Sequence, residues 1–364
     1  MNVLHFITAI PLNFQQGSGC YMGIRTLTEG LGRLGVRVSM VTPRTALRVF
    51  AARRILFNET LRRRVFEGDA TVGIDADGYA IAGQRRSLPH VACIKGVMGD
   101  VIRFESGATR ASMALQARLE AKHARRADLV ITISKYCAER IEELYGVSNA
   151  TVVPELIDLE SWRQLFHANP AAPDPRKFTV LSVCRFYPRK RVDLLLQAAA
   201  QLRDRIPQLE VRIVGNGLEG ERLRALSNEL HLGSVVQWLG DVSPERLAAE
   251  YNRAHVFCLP SIQEGFGIVF LEAMAAGKPI VAARASAVPE VVHSGILVDP
   301  NNAEALAEGL FQLFREPDLR DALGTQSRQD VEEFEVGRVS RRFLSEVAKV
   351  APGIRICSGA GGCP

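Results

Sequence analysis

No apolar run in this 364-residue sequence approaches the roughly 20 residues that a membrane-spanning helix needs, so no span is expected. The opening, MNVLHFITAI, has no basic leader and no small-residue cleavage site, and it reads as a first strand rather than an export signal. Cysteine is scarce and scattered. Its seven positions (Cys20, Cys93, Cys137, Cys184, Cys258, Cys357 and Cys363) are odd in number and lie partly in apolar, strand-like contexts, which suggests a reducing cytoplasm. The last two sit in RICSGAGGCP, whose spacing matches no metal motif, so residues 351–364 read as a flexible tail and no metal site is expected. Low-complexity tracts are also missing, and a chain with 47% hydrophobic and 23% charged residues is expected to be ordered nearly throughout.

The net charge of +5 is unevenly spread. Residues 1–172 hold 22 Lys and Arg against 16 Asp and Glu, whereas the remainder is close to balance. The densest stretch, PRTALRVFAARRILFNETLRRRVF, carries Arg44, Arg48, Arg53, Arg54, Arg62, Arg63 and Arg64 among apolar residues, with Glu59 its one acid. Such a segment can lie on an anionic membrane or can be a solvated helix that packs one face on its own domain. No nucleic-acid-binding motif accompanies the arginines, so nucleic acid is not an expected partner.

A chain of this length exceeds what one core usually serves, so two domains are expected. In the second half, FTVLSVC, LEVRIVG, VVQWLG, VFCLP, PIVAA and GILVDP alternate with helical patterns; Ser243 and Pro244 form an N-terminal helix signal. The first half offers VLHFITA, VRVSMVT, ATVGID, HVACI, DLVITIS and TVVP in the same rhythm. The pattern predicts an α/β chain of two doubly wound Rossmann-like domains, with ligands at the carboxyl ends of their strands in the cleft where the domains face each other. The proline-rich HANPAAPDPRKF, residues 167–178, reads as a linker, which divides the chain into domains at 1–170 and 171–330. A helix at 331–350 is expected to cross back to the first domain.

Two motifs compete for the site. VRIVGNGLEG holds Gly215, Gly217 and Gly220 in a G-x-G-x-x-G pattern with Asp241 beyond the next strand, which is the outline of a dinucleotide site. It follows the second strand of its domain, however, where the fingerprint usually follows the first, and a glycine turn in close contact with backbone or ligand is the plainer reading. The stretch QEGFGIVFLEAMAAGKP places Glu264 in a loop and Glu272 within the helix that follows, which is expected to begin near Phe266. A helix N-terminus offers amides and a positive dipole end to an anion, Gly265 and Gly267 permit close approach, and a carboxylate among apolar neighbours such as Glu272 needs a partner. The alternative is a loop-capping Glu264 and a solvated Glu272. CRFYPRKR, at the end of the domain's first strand, is either a ligand-binding edge or a solvated strand end.

Taken together, EGFGIVFLE, CRFYPRKR, VGNG and the QGSG stretch after the first strand resemble the retaining family 4 glycosyltransferases (glycosyl transferases group 1), whose signature is E-x7-E and whose architecture is the glycosyltransferase B fold. The resemblance covers essentially the whole chain. It implies that Glu264 bonds the transferred sugar, that Glu272 holds ribose hydroxyls and that Arg185 and Lys190 bind the diphosphate. Gly265, Phe266, Gly267 and Ile268 would supply amides; Gly215 and Gly217 would line the donor site; and Gly17 and Gly19, in a turn after the first strand, would approach the phosphates. The co-substrate would be a nucleoside diphosphate sugar, with no further cofactor, and the acceptor a sugar, lipid-linked or natural-product hydroxyl. The implied enzyme is a cytoplasmic, metal-independent hexosyltransferase, with the inner membrane face as a further location.

The chain also departs from that pattern. Where such enzymes carry a histidine after a middle strand of the first domain, HVACI ends in Lys95, which takes that role in the expectation, while His90 reads as structural. Cys184 stands where a glycine is usual, and Ser286 and Ala287 replace a glycine pair before Pro289 and Glu290, so the backbone there is open to another course. Asp75 and Asp77 either face the acceptor or serve a turn. Within the same fold, an epimerase or phosphorylase is the competing activity. A dinucleotide-dependent oxidoreductase and a non-catalytic membrane-associated protein are the others.

Overall fold

The computed structural model describes residues 2–11, 14–44, 49–84 and 88–355. Cys357, Cys363 and Arg48 lie outside these residues. The chain divides into two compact units: unit 1 comprises Met1–Leu156 together with Phe334–Pro364, and unit 2 comprises Ile157–Glu333.

Unit 1 runs β1 (Val3–Ile7), α1 (Phe14–Arg33), β2 (Arg37–Val41), α2 (Phe50–Leu61), β3 (Ala70–Ile74), β4 (His90–Ile94), α3 (Met98–Val101), α4 (Gly107–Ala124), β5 (Leu129–Thr132), α5 (Lys135–Tyr145) and β6 (Thr151–Val152). The strands form a parallel sheet in the order β2-β1-β3-β4-β5-β6. Every residue of β3 and β4 is buried, as expected of central strands covered on both faces.

Unit 2 begins with α6 (Leu159–Ala168) and continues β7 (Phe178–Val183), α7 (Val192–Leu202), β8 (Leu209–Val214), α8 (Gly220–Glu229), β9 (Val236–Gly240), α9 (Pro244–Arg253), β10 (Val256–Leu259), α10 (Ile268–Ala275), β11 (Ile280–Ala283), α11 (Val288–Val291), β12 (Gly295–Val298), α12 (Ala303–Arg315) and α13 (Pro317–Asp330). Its parallel sheet has the order β12-β11-β10-β7-β8-β9. The chain builds outward from β7 through β8 to β9, then returns to the other side of β7 with β10. The gap between the carboxyl ends of β7 and β10 is therefore the switch point, where open sheets of this kind hold ligands. At the start of α9, Ser243 Oγ accepts the Arg246 N–H and Pro244 occupies the first turn, as the sequence predicts.

The last helix, α14 (Val336–Ala348), belongs to unit 1, in line with the expected return of the chain. It packs on α1, where an added Cβ at Gly30 would come within 2.2 Å of Ser340 Oγ, so only glycine allows this approach.

Two expectations are corrected. The division falls after Leu156 rather than at residue 170, because α6 packs within unit 2: Trp162 and Phe166 meet the ring of Tyr251, and Asn252 Nδ2 donates to the carbonyls of Phe166 and Asn169, both at 2.9 Å. Gly17 and Gly19 lie inside α1 rather than in a turn. The buried Ile24, Leu27 and Leu31 anchor that helix, and its cooperativity carries the glycines along. In α2, Arg54 is 1% exposed, so part of this basic stretch packs on its own domain.

Candidate active site

In unit 2 the chain after β7 and the chain after β10 are joined by hydrogen bonds. The Arg189 carbonyl accepts the Ile262 N–H at 2.9 Å and the Ser261 hydroxyl at 3.1 Å. This contact brings Lys190 and Glu264, 74 positions apart in sequence, to the switch point as an ion pair of 2.5 Å. Their side chains are 14% and 7% exposed, so little water screens the pair.

Arg185 lies just after β7, with Nη1 at 3.3 Å from Asp241 Oδ1. Its backbone course is fixed by the GNG turn after β8. Phe186 donates its N–H to the Asn216 carbonyl at 2.9 Å and accepts the Glu219 N–H at 3.1 Å. A Cβ on Gly215, whose φ is +118°, would lie 1.9 Å from the Cys184 carbonyl oxygen, and one on Gly217 would lie 2.6 Å from the Phe186 nitrogen. The dinucleotide-like spacing thus has a packing cause: two glycines let the β8 turn clasp the β7 turn, and Asp241 answers Arg185.

Glu264, Gly265, Phe266 and Gly267 lead into α10. Phe266 is buried, and Gly267 caps the helix at φ +93°, where a Cβ would meet the Phe270 ring at 2.6 Å. The helix begins at Ile268, two residues later than expected, because this left-handed glycine sets its entry. Glu272 lies about 6 Å further along the axis. It is buried, as its apolar neighbours suggest, and accepts the Tyr251 hydroxyl at 2.9 Å. Burial pushes its carboxyl up to about 7, with the tyrosine hydrogen bond opposing part of that rise.

Ser286 and Ala287 hold the other side of the loop. The Glu264 N–H donates to Ser286 Oγ at 2.8 Å, and the Ala287 N–H donates to the Glu264 carbonyl at 3.3 Å. Ser286 has φ +48°, so this serine adopts the left-handed course natural to a glycine. Glu290 lies half-buried on the short α11.

Gly17, Gly19 and Lys95 belong to unit 1. Gly19 faces open space, with nothing within 4 Å of an added Cβ. Lys95 follows β4, and its ammonium donates to both oxygens of Glu155 at 2.8 and 2.7 Å; the two side chains are each 4% exposed. Burial alone would lower the lysine, but the facing carboxylate more than reverses this and holds it above its ordinary value. Gly23 makes room for the pair, since its Cβ would fall 2.4 Å from Glu155 Oε2. Asp75, at φ +53°, accepts the Lys95 N–H at 2.8 Å, and burial lifts its carboxyl to about 6. Asp77 is wholly internal: it accepts Arg54, the Asn58 amide and the Ala9 N–H, a turn-fixing role. His90 is buried and bonded to Thr71 and His123, in keeping with a structural histidine.

Sequence reasoning missed Tyr251, Ser286 and Glu155 as partners. Tyr251 was hidden in a helical pattern, and Glu155 stands 60 residues from its lysine. Asp241 was visible only through the dinucleotide-like pattern.

Two parallel-sheet Rossmann-like units define the class as the glycosyltransferase B fold. Solved structures agree: sucrose-phosphate synthase from Thermosynechococcus elongatus is similar over 96% of this chain and 99% of its own, with TM-score 0.79 and 21% identity. Anabaena HepE, solved with UDP and glucose, is similar over 96% of this chain and 99% of its own, with TM-score 0.70 and 19% identity. The family profile described as Glycosyl transferases group 1 matches residues 165–330, and that of Glycosyltransferase Family 4 matches residues 19–161. The chain belongs to these glycosyltransferases. Among curated relatives, a GDP-mannose-dependent alpha-(1-6)-phosphatidylinositol monomannoside mannosyltransferase of Mycolicibacterium smegmatis is 30% identical over 226 residues, which is 56% of this chain and 57% of that protein. The chain thus spans about half the length of the curated relatives it matches.

Proposed function

We propose that this chain is a retaining glycosyltransferase that moves a hexose-type sugar from a nucleoside diphosphate to an acceptor hydroxyl in glycoconjugate biosynthesis. The observation that carries the reading is the Lys190–Glu264 pair at the switch point of unit 2, beside an Arg185 fixed by Asp241 and by the GNG turn. Such a site holds two cations for a diphosphate and two carboxylates for hydroxyl groups, a composition that suits a sugar nucleotide.

In this reading the diphosphate draws Lys190 toward itself and frees Glu264 to accept hydrogen bonds from the sugar. Glu272 takes the ribose hydroxyls, and Gly265, Phe266, Gly267 and Ile268 line the turn with amides. The bond from the anomeric carbon to the leaving phosphate oxygen breaks, and a bond to the acceptor oxygen forms on the same face. The acceptor proton passes to the departing phosphate oxygen. Arg185, Lys190 and the start of α10 stabilise the charge that develops there without a metal ion. In unit 1, Lys95 serves as a charged group set by Glu155, and Gly17 and Gly19 as positions of close phosphate approach.

The UDP and glucose of the HepE structure and the GDP-mannose of the mycobacterial enzyme support a nucleotide-sugar donor. Among the described residues, the five cysteines form no disulfide. No helix among the described residues is long and apolar enough to cross a membrane. Contact with an anionic membrane is supported by exposed Arg62, Arg63 and Arg64 beside Leu56 and Val65, which are 45% and 82% exposed.

A thermal-shift panel of UDP- and GDP-sugars beside NAD and NADP tests the reading. Stabilisation by sugar nucleotides and by free UDP or GDP is expected. Stabilisation by the nicotinamide cofactors alone would overturn it.

A further inference from the structure

We propose that Ser286 is a positioning residue for Glu264, its hydroxyl fixing the sugar-facing carboxylate by accepting the Glu264 backbone N–H. The inference rests on the transferase reading, in which Glu264 meets the transferred sugar.

Two hydrogen bonds grip Glu264 from the same turn, one to each side of its residue: Glu264 N to Ser286 Oγ at 2.8 Å and Ala287 N to Glu264 O at 3.3 Å. They brace a stretch in which Gly265 and Gly267, the latter at φ +93°, flank the buried Phe266. The Lys190 ammonium holds the carboxylate, but that cation is the one a diphosphate would claim. Once it is drawn away, the backbone grip of Ser286 and Ala287 still fixes Glu264 at the switch point.

The conformation of Ser286 points the same way. At φ +48° a glycine would be the residue of least strain, and serine there costs stability that its backbone does not recover. What serine adds over glycine is one hydroxyl, and that hydroxyl is bonded to Glu264. Strain kept at a position whose side chain holds a reacting loop is the pattern expected when stability is exchanged for orientation.

The two effects separate experimentally. Ser286→Gly removes both the strain and the hydroxyl, whereas Ser286→Ala removes the hydroxyl and keeps the strain. For a positioning role, Ser286→Gly should hold or raise Tm yet lower kcat for UDP-glucose or GDP-mannose turnover by at least about tenfold. Ser286→Ala should lower Tm and lose a similar factor in kcat. The Kd of free UDP or GDP should stay within about twofold in both, because the hydroxyl does not serve the nucleotide. Amide hydrogen exchange at residues 263–267 should speed up in both variants. A Ser286→Gly protein with wild-type kcat, or a kcat loss confined to the variant that loses Tm, would overturn the role. Glu264→Gln separates the two layers: if it abolishes turnover while Ser286→Gly is fully active, the Ser286 role alone fails. If no sugar nucleotide binds or turns over in the wild type, the transferase reading fails and the Ser286 role with it.

Discussion

Glu272 carries its carboxylate at a depth where charge is costly, and among the described residues Tyr251 is the one hydroxyl that meets it. Because burial raises this carboxyl to about 7, it is neutral below that pH and charged above it. A carboxylate accepts hydrogen bonds from two ribose hydroxyls better than the acid does, so nucleotide affinity should strengthen as pH rises through 7. Isothermal titration of UDP or GDP from pH 6 to 8 reads this, and Glu272→Gln should flatten the dependence. The stability share runs the other way: it is present below the ordinary value of 4.5 and lost as pH rises through 7. Lys190→Ala would leave the Glu264 carboxylate nearly buried and unpaired, at a cost of about 2 kcal/mol after allowing for partial exposure. Adding Glu264→Gln to that background should restore part of the loss in a denaturant midpoint, since the stranded charge is then gone.

At the scale of elements, the β8 turn and the start of α1 make opposite predictions for one kind of substitution. Gly215→Ala forces a Cβ to 1.9 Å from a carbonyl oxygen at φ +118°, so it should destabilise unit 2 by about 3 kcal/mol or more and weaken nucleotide binding by displacing Arg185. Gly19→Ala meets nothing within 4 Å and lies in a helix, so it should stabilise by about 0.5–1 kcal/mol. A rise in KM for the sugar nucleotide in that otherwise sturdier protein is the expected mark of phosphate approach at Gly19, and an unchanged KM would remove it from the site. For α2, the internal Arg54–Asp77 contact takes Arg54 out of any membrane attraction, which should then draw on exposed arginines such as Arg62, Arg63 and Arg64. Charge reversal of those three should reduce sedimentation with anionic vesicles while leaving Tm close to that of the wild type.

The molecule as a whole is two cores made from one chain, and the return of α14 closes that of unit 1. Val336, Val339, Phe343, Leu344 and Val347, each at most 2% exposed, complete the core of unit 1. At roughly 1.5–3 kcal/mol for each buried apolar side chain, they represent as much as a domain's whole net stability. A chain ending at Glu333 should therefore lose the unfolding transition of unit 1 in calorimetry, while residues 157–333 alone should keep a cooperative one. Acid should also act on unit 1 through His123. Burial pushes His123 down to about 4, so its share of stability is complete above 6.5 and is lost as pH falls toward 4, a change on the order of 3 kcal/mol. Calorimetry of a His123→Gln variant between pH 7 and 4.5 should show the transition assigned to unit 1 moving down less than in the wild type.

The sequence by itself determined the elements and their class. Strands such as FTVLSV and HVACI are apolar along their whole length, which requires a sheet covered on both faces, and turn chemistry such as Ser243-Pro244 acts locally. It also determined which residues to suspect, because glycines and paired charges at strand ends stand out against that apolar rhythm. Only the tertiary structure decided what those residues do for one another. Cys184 needs Gly215, Lys95 needs Glu155 and Glu264 needs Ser286 through contacts between distant positions, and no local propensity records a partner that arrives with another strand. The same reason moved the unit boundary to Leu156, since α6 takes its place from the rings of unit 2 and not from the prolines that follow it.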